Sequence, residues 1–326
     1  MSRRGGFLRI GTRSSALAVW QTERVRSLLG ARGHETERLE IKTTGDLTPD
    51  VPLARIGSRA LFTKQIDEAL LENRIDLAVH SLKDLPTELP PGITIAAVSA
   101  REDARDALVG HAALRWKQIP KGAIIGTSSL RRRAQLLSSR PDLQIVDLRG
   151  NVDTRLAKLG EHLEWTAVVL ATAGLVRLGL GHRIGERLAS DIMLPAPGQG
   201  ALAVTVRTDD SAVLDAVRQT VHDPNTALQV AAERAFLRRL EGGCQVPVAA
   251  YAQPYTEAGR SGLRLHGRVV SLGGEMVAEG HMEKLIDDDD HAARLGIELA
   301  EQLLENGAGP ILAEVRAASI PAVAEP

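Results

Sequence analysis

Ile124-Ile125-Gly126-Thr127-Ser128-Ser129-Leu130-Arg131-Arg132-Arg133 decides the architecture. A short apolar strand, 124–126, closes on glycine, hydroxyl residues follow, and a helix over 128–138 begins among them. The same order stands at the front of the chain. There Ile10-Gly11-Thr12-Arg13-Ser14-Ser15 joins a strand over 7–10 to a helix capped by Ser14 or Ser15 and running to Leu29. Downstream of the front copy the pattern predicts strands at 39–42, 75–80 and 93–98, a polar loop at 43–59 and a helix at 61–72 with an apolar stripe. Downstream of the second copy it predicts strands at 143–146 and 167–170 and a helix at 152–162. Strands alternating with helices imply an open, mostly parallel sheet, and a pattern that restarts implies two similar α/β domains. Leu194-Pro195-Ala196-Pro197-Gly198-Gln199-Gly200 reads as a crossover between them, leading into an apolar strand at 201–206.

The last third differs. A helix over Thr226–Leu240 precedes the turn Glu241-Gly242-Gly243-Cys244, strand-like runs follow at 248–252, 263–270 and 275–279, and a helix spans 290–305. Asp287–Asp290 lacks metal-loop spacing and instead charges that helix's N-terminus; Gly307 stops it. A Pro/Ala-rich tail follows Val315. The expected fold class is therefore α/β, two doubly wound domains plus a small C-terminal α+β domain. Expected limits are 1–100 with 197–220 for the first domain, 101–196 for the second and 221–326 for the third.

At 326 residues the chain is long for one core. A single cysteine excludes an internal disulfide and any cysteine-cluster metal site. The net charge of -1 argues against a nucleic-acid coat protein, and the arginine clusters lack the interleaved aromatics that stack single strands. No metal site and no nucleic-acid partner are expected. No run approaches the ~18 apolar residues of a membrane span. Ser2-Arg3-Arg4 has a twin-arginine flavour, but Arg9, Arg13, Gln21 and Glu23 interrupt any apolar signal region, so a cytoplasmic location is expected. Of the 40 basic residues 33 are arginine, a bias that base composition or a carboxylate- or phosphate-rich ligand can produce.

Placement favours the ligand. Arginines in the first turn of a helix oppose its dipole, and an anion gripped by N–H groups and guanidinium forks offsets that cost. Leu148-Arg149-Gly150-Asn151-Val152-Asp153-Thr154-Arg155 repeats the arrangement, and Arg13 holds the equivalent place after the first strand. Arginines after several strand ends converge on the crevice where open α/β sheets bind ligands. His80-Ser81-Leu82-Lys83-Asp84-Leu85-Pro86 leaves another strand, placing a carboxylate at that edge to balance a developing cation or move protons. Cys244 sits on a glycine turn with no histidine beside it, which leaves a buried small hydrophobe or a covalent attachment point.

With these residues assembled, the chain resembles the porphobilinogen deaminase family over residues 7–316. The carriers are Ile10-Gly11-Thr12-Arg13, Val79–Pro86, Gly126–Arg132, Leu148–Asn151, Pro197–Gly200 and Leu240–Pro247, six motifs in order. The resemblance implies that the first two domains are periplasmic-binding-protein-like. It implies an enzyme that condenses four porphobilinogen molecules head to tail, with loss of ammonia, into linear hydroxymethylbilane for tetrapyrrole and heme biosynthesis. It further implies a dipyrromethane cofactor on Cys244 through a thioether, with Asp84 stabilising positively charged pyrrole intermediates and assisting proton transfer. Lys83, Ser81, Thr127, Ser129, Arg131 and Arg132 fall at cofactor-binding positions. Arg13, Arg149, Arg155, Arg177, Phe62, Arg55 and Arg59 fall at substrate- and chain-binding ones. Acetate and propionate groups on every pyrrole would explain the arginines physically. The chain departs from the family at Ser58 and Ala60, which replace lid glycines and restrict the backbone, and at Asp153, which replaces a glycine beside the arginines. A non-catalytic small-anion binding or sensor protein on the same scaffold is the alternative. Nothing in the sequence demands more than a monomer.

Overall fold

A computed structural model describes residues 7–43, 63–240 and 246–319. Arg55, Arg59, Phe62 and Cys244, the substituted lid positions Ser58 and Ala60, and the end of the tail lie outside them. Three sheets organise the described chain. The first contains β1 (Leu8–Thr12), β2 (Thr36–Glu40), β3 (Leu77–Ser81), β4 (Ile93–Val98) and β10 (Leu202–Arg207), in the order β2-β1-β3-β10-β4. The second contains β5 (Asp106–Gly110), β6 (Ile124–Gly126), β7 (Gln144–Val146), β8 (Ala167–Ala171) and β9 (Glu186–Arg187), in the order β7-β6-β8-β5-β9.

The two orders are the same with β6 in the place of β1. The repeated Ile-Gly-Thr therefore ends equivalent strands, and its glycine has the same reason in both. A Cβ on Gly11 would collide with Ile75, and one on Gly126 would stand 3.0 Å from Val168 and 3.2 Å from Trp165. Helices follow each strand: α1 (Ala16–Gly30), capped by Ser15 accepting from the Ala18 amide, and α3 (Leu130–Ser139), capped by Ser129. α2 (Lys64–Leu71), α4 (Val152–Glu161), α5 (Thr172–Arg177) and α6 (Ser211–Val221) complete the layers. Both faces of the first sheet are covered: Leu77 and Val79 pack with Val25 and Val213, while Ala78 packs with Ile66 and Leu70. This is why its strands read as continuous apolar runs.

Each α/β sheet is mostly parallel, as the alternating pattern predicts, four of its five strands running one way and one against them. β1 pairs parallel with β2 and β3, but β10 runs antiparallel between β3 and β4. Likewise β6 pairs parallel with β7 and β8, whereas β5 is antiparallel to β8 and β9. The reason is topological. β5 is the strand on which the chain enters the second sheet and β10 the one on which it returns to the first, and each enters its sheet from the opposite end.

The third sheet, β11 (Val248–Glu257), β12 (Arg260–Val270) and β13 (Val277–Leu285), is an antiparallel meander. Its strands outrun the apolar runs because the β11–β12 hairpin continues past the core on polar residues, closing at Ala258 and Gly259 with φ of 48° and 79°. α7 (Pro224–Arg239), α8 (Asp289–Leu303) and α9 (Gly309–Ser319) pack on it around Phe236, Leu295 and Leu299. Asp288 caps α8 as its acidic start implied. The tail continues as α9, because alanine favours helix and Pro310 sits in its first turn.

Glu233 of α7, wholly buried, ties the three parts together. Its carboxylate accepts from Arg101 Nη1 at 2.6 Å and Nη2 at 3.0 Å, from the Gly198 amide at 2.7 Å and from the Ala252 amide at 2.8 Å. Arg101 and Gly198 belong to the outgoing and returning crossovers, and Ala252 to β11. Removing one partner of a buried, hydrogen-bonded ion pair strands the other. Glu233→Ala is expected to lower unfolding stability by about 3–5 kcal/mol, read as the urea midpoint; a loss below about 1 kcal/mol would mean that the tie is redundant.

Candidate active site

The strand ends of the two α/β sheets carry the polar groups. β3 ends at Ser81, whose Oγ accepts from Gln21 Nε2 at 2.8 Å, and runs into a single 3-10 turn, Leu82–Asp84. Leu82 is buried and anchors the turn, leaving Asp84 exposed at its tip. A cleft at this end is lined by Arg13, Gln21, Thr63, His80, Ser81 and Asp84. His80 faces Thr205 Oγ1 at 3.2 Å inside the sheet. Burial, reinforced by Arg13, pushes its pKa down to about 4, so it is neutral at pH 7.

In the second sheet β6 runs into Thr127, whose hydroxyl accepts from the Ser129 amide at 3.2 Å. Ser129 in turn caps α3 by accepting from the Arg132 amide at 3.5 Å. The hydroxyls that the sequence marks as ligand contacts thus also build the helix start. Of the three consecutive arginines Arg131 and Arg132 are buried, whereas Arg133 is exposed.

Asp106, at the start of β5, explains why two guanidinium groups can be buried side by side. It accepts from Arg131 Nη1 at 2.7 Å, and from Arg132 Nε at 3.0 Å and Nη2 at 2.7 Å. Burial by itself would raise the Asp106 pKa, but the two arginines outweigh it and hold the carboxyl well below the ordinary range. Gln199 extends the network: its Nε2 donates to Asp106 Oδ1 at 3.1 Å and to the Ala104 carbonyl at 2.7 Å, and its Oε1 accepts from Lys83 Nζ at 3.1 Å. Desolvation pushes the Lys83 pKa down to about 8, with Asp84 and Asp106 opposing that fall and Arg132 and Arg131 adding to it.

Arg155 joins this field from α4. Its pKa is pushed down to about 10, first by burial and then by Arg132, with Asp84 opposing and Arg149 adding. Lys83, Asp84, Arg131, Arg132 and Arg155 are therefore linked in one charged network, which Arg149 joins through Arg155. Arg177 is not among them in this geometry. Its Nη2 donates to the Gly200 carbonyl at 2.5 Å and its guanidinium lies 5.8 Å from the Trp20 ring, so it holds the returning crossover. Asp153 is exposed. Sequence reasoning missed Asp106 and gave Gln199 no role; the available signal was an acidic residue opening an otherwise apolar strand, Asp106-Ala107-Leu108-Val109.

Comparison with known proteins decides the family. Residues 8–215 match "Porphobilinogen deaminase, dipyromethane cofactor binding domain", and residues 227–305 match "Porphobilinogen deaminase, C-terminal domain". The chain belongs to the porphobilinogen deaminase family. A porphobilinogen deaminase of Geotalea uraniireducens is 48% identical over 311 residues, covering 94% of each chain. One of Chlorobaculum tepidum is 46% identical over 310 residues, 94% of this chain and 97% of that one. Among solved structures the methionine binding protein MetQ superposes with a TM-score of 0.44 at 12% identity, over 66% of this chain and 89% of that one. No helix among the described residues is long and apolar enough to cross a membrane.

A porphobilinogen deaminase is a transferase with a dipyrromethane cofactor, and the residues present fit a carboxylate-bearing group of that kind. The Arg155 Nε is buried without a hydrogen-bond partner. Among the described residues Arg131 bonds only through Nη1, to Asp106 and to the Leu194 carbonyl at 2.8 Å. Its Nε–Nη2 edge, the side that grips a carboxylate bidentately, is left open. The depressed Lys83 pKa has a measurable consequence. Between pH 8 and 10.5 the unfolded chain keeps a proton that the folded one has lost, so this group's contribution to stability rises with pH in that window. The unfolding free energy of wild type relative to Lys83→Met is expected to increase from pH 8 to 10.5; a flat difference would place the ammonium in water.

Proposed function

We propose that the cleft between the two α/β sheets is where four porphobilinogen molecules are joined head to tail with release of ammonia, the hydroxymethylbilane synthase reaction of tetrapyrrole biosynthesis. The observation that carries this reading is the open Nε–Nη2 edge of Arg131 beside Arg132, Lys83 and Arg155, with the exposed Asp84 at the rim of the same cleft. Arg131, Lys83, Thr127 and Ser129 hold the carboxylates of the dipyrromethane, with Ser81 as a further polar contact and Arg132, its fork filled by Asp106, adding positive charge. Arg13, Arg149 and Arg155 hold those of the incoming and growing chain, and Arg55, Arg59 and Phe62 complete that set; Arg177, expected there from the resemblance, holds the returning crossover instead. When bound through the Cys244 thiol, the dipyrromethane supplies the pyrrole terminus to which the first substrate is joined.

Asp84 is assigned the chemistry. When the substrate's C–N bond breaks and ammonia departs, positive charge spreads from the exocyclic carbon into the substrate's ring, and a carboxylate at the cleft rim stabilises that charge. The same oxygen is placed to take the proton released once the new C–C bond has formed. Arg155, which Asp84 helps to keep protonated, orients the substrate's side-chain carboxylates so that the exocyclic carbon faces Asp84, while Lys83, supported by the same carboxylate, stays on the dipyrromethane. His80, neutral and hydrogen-bonded inside the sheet, is left a positioning role. A monomer acting in the cytoplasm suits an enzyme whose substrate and cofactor sites lie within one chain.

Protein from cells that make porphobilinogen is expected to exceed its sequence mass by one dipyrromethane, and Cys244→Ser to lose that increment; equal masses would defeat the attachment. Asp84→Asn should keep the increment while kcat falls about 10²–10⁴-fold, and near-normal turnover would remove Asp84 from the chemistry. Arg131→Leu should impair cofactor loading or raise KM, measured by intact mass and steady-state kinetics.

A further inference from the structure

We infer that Asp106 is a positioning residue for this reaction: its carboxylate fills the fork of Arg132, turns Arg131 so that its bidentate edge faces the cleft, and fixes Lys83 through Gln199. The inference rests on the reading above that Arg131 and Lys83 hold pyrrole carboxylates.

The geometry is specific. Arg132 spends Nε and Nη2 on Asp106 Oδ1 and Nη1 on the Val169 carbonyl at 2.9 Å, so the protein already occupies its fork. Arg131 uses only Nη1, on Asp106 Oδ2 and the Leu194 carbonyl, both at the closed side of the guanidinium. A guanidinium held by one nitrogen at two fixed acceptors presents the opposite edge in a set plane, which is what bidentate recognition requires. Asp106 itself has no exposed surface, so it does not meet the ligand. It acts on the ligand only through the groups it orients.

The second arm crosses between the sheets. Asp106 opens β5 of the second sheet, Lys83 follows β3 of the first, and Gln199 of the returning crossover bonds to both. The charged groups acting on Lys83 are Asp84 beside it, Arg131 and Arg132 of α3, and Asp106 of β5. Of the two carboxylates, Asp84 is at the rim and Asp106 is enclosed with the arginines. Losing the Asp106 charge leaves Lys83 facing two arginines with one carboxylate fewer, which lowers the pH at which its ammonium is lost.

The test compares holoenzyme fractions, selected by intact mass, of wild type, Asp106→Asn and Gln199→Met. For Asp106→Asn we expect kcat/KM to fall about 10²-fold, mainly through KM, and the alkaline limb of the kcat/KM profile to move down by about one pH unit. Gln199→Met leaves the Asp106–arginine pairs in place, so it should move the alkaline limb in the same direction with a smaller change in KM. It also decides the matter if Asp106→Asn yields no folded protein. A purely structural Asp106 would give less, or less stable, holoenzyme with wild-type kcat, KM and pH profile; that result overturns the inference, as does an unmoved alkaline limb in Gln199→Met. Arg131→Leu separates the two levels. If it leaves kinetics unchanged, the carboxylate-clamp reading itself fails; if it impairs them while Asp106→Asn does not, only the positioning role fails.

Discussion

Asp106 lies out of reach of water between two guanidinium groups, and the rest of the site follows from how that arrangement is made tolerable. An isolated charge taken into a protein interior costs several kcal/mol even after relaxation. Two adjacent arginines there without an anion would repel each other and stay solvated. One carboxylate with both oxygens committed, Oδ2 to Arg131 and Oδ1 to Arg132, lets both stay buried and protonated. It still leaves the local balance positive by one charge before Lys83 and Arg155 are considered. That residual charge is what a polycarboxylate meets in the cleft.

The crossovers obey the same constraint. Each α/β sheet receives one strand from the chain segment that links it to the other, and both linking segments carry buried polar groups that need partners. On the outgoing side Arg101 pairs with Glu233; on the returning side the Gly198 amide donates to the same carboxylate and Gln199 reaches Asp106. The third sheet is docked by the Ala252 amide on Glu233 and by Arg268 Nη1 donating to Gln135 Oε1 at 2.9 Å, on the helix that carries Arg131 and Arg132. Orientation between the parts is thus set by directional bonds to charged groups. Apolar contact area alone would permit sliding; these bonds do not.

Much of this was legible from sequence, for identifiable reasons. The Ile-Gly-Thr repeat marks equivalent strand ends because a glycine is needed where the neighbouring strand packs close, and the hydroxyls behind it cap helices. Strand direction was not legible. An apolar run buried on both faces reads the same whether parallel or antiparallel, so the strand predicted at 201–206 carried no sign that it runs against its neighbours, and β5 was not predicted. The family resemblance separates Arg131 and Arg132 from Arg133, but the residue pattern alone does not. Successive helical residues point about 100° apart, and only the packed structure tells which two face the strand ends. The hairpin extension beyond the core was hidden because its residues are polar, while its backbone pairing continues.

The arginines of the cleft therefore divide by what their donors are doing rather than by how many there are. Arg132 is charged and central, yet its fork is filled from within and its contribution to a ligand is chiefly field. Arg155 keeps a buried donor uncommitted at Nε, and Arg131 leaves its Nε–Nη2 edge without a protein acceptor among the described residues. An unpaired donor there is costly until an acceptor arrives, so these two are the groups whose satisfaction a bound carboxylate would improve. Arg177, bonded to the Gly200 carbonyl and lying over Trp20, turns the same side chain to holding a crossover. Net charge near zero is compatible with all of this, because charge balance over the whole chain places no limit on the excess within one cleft.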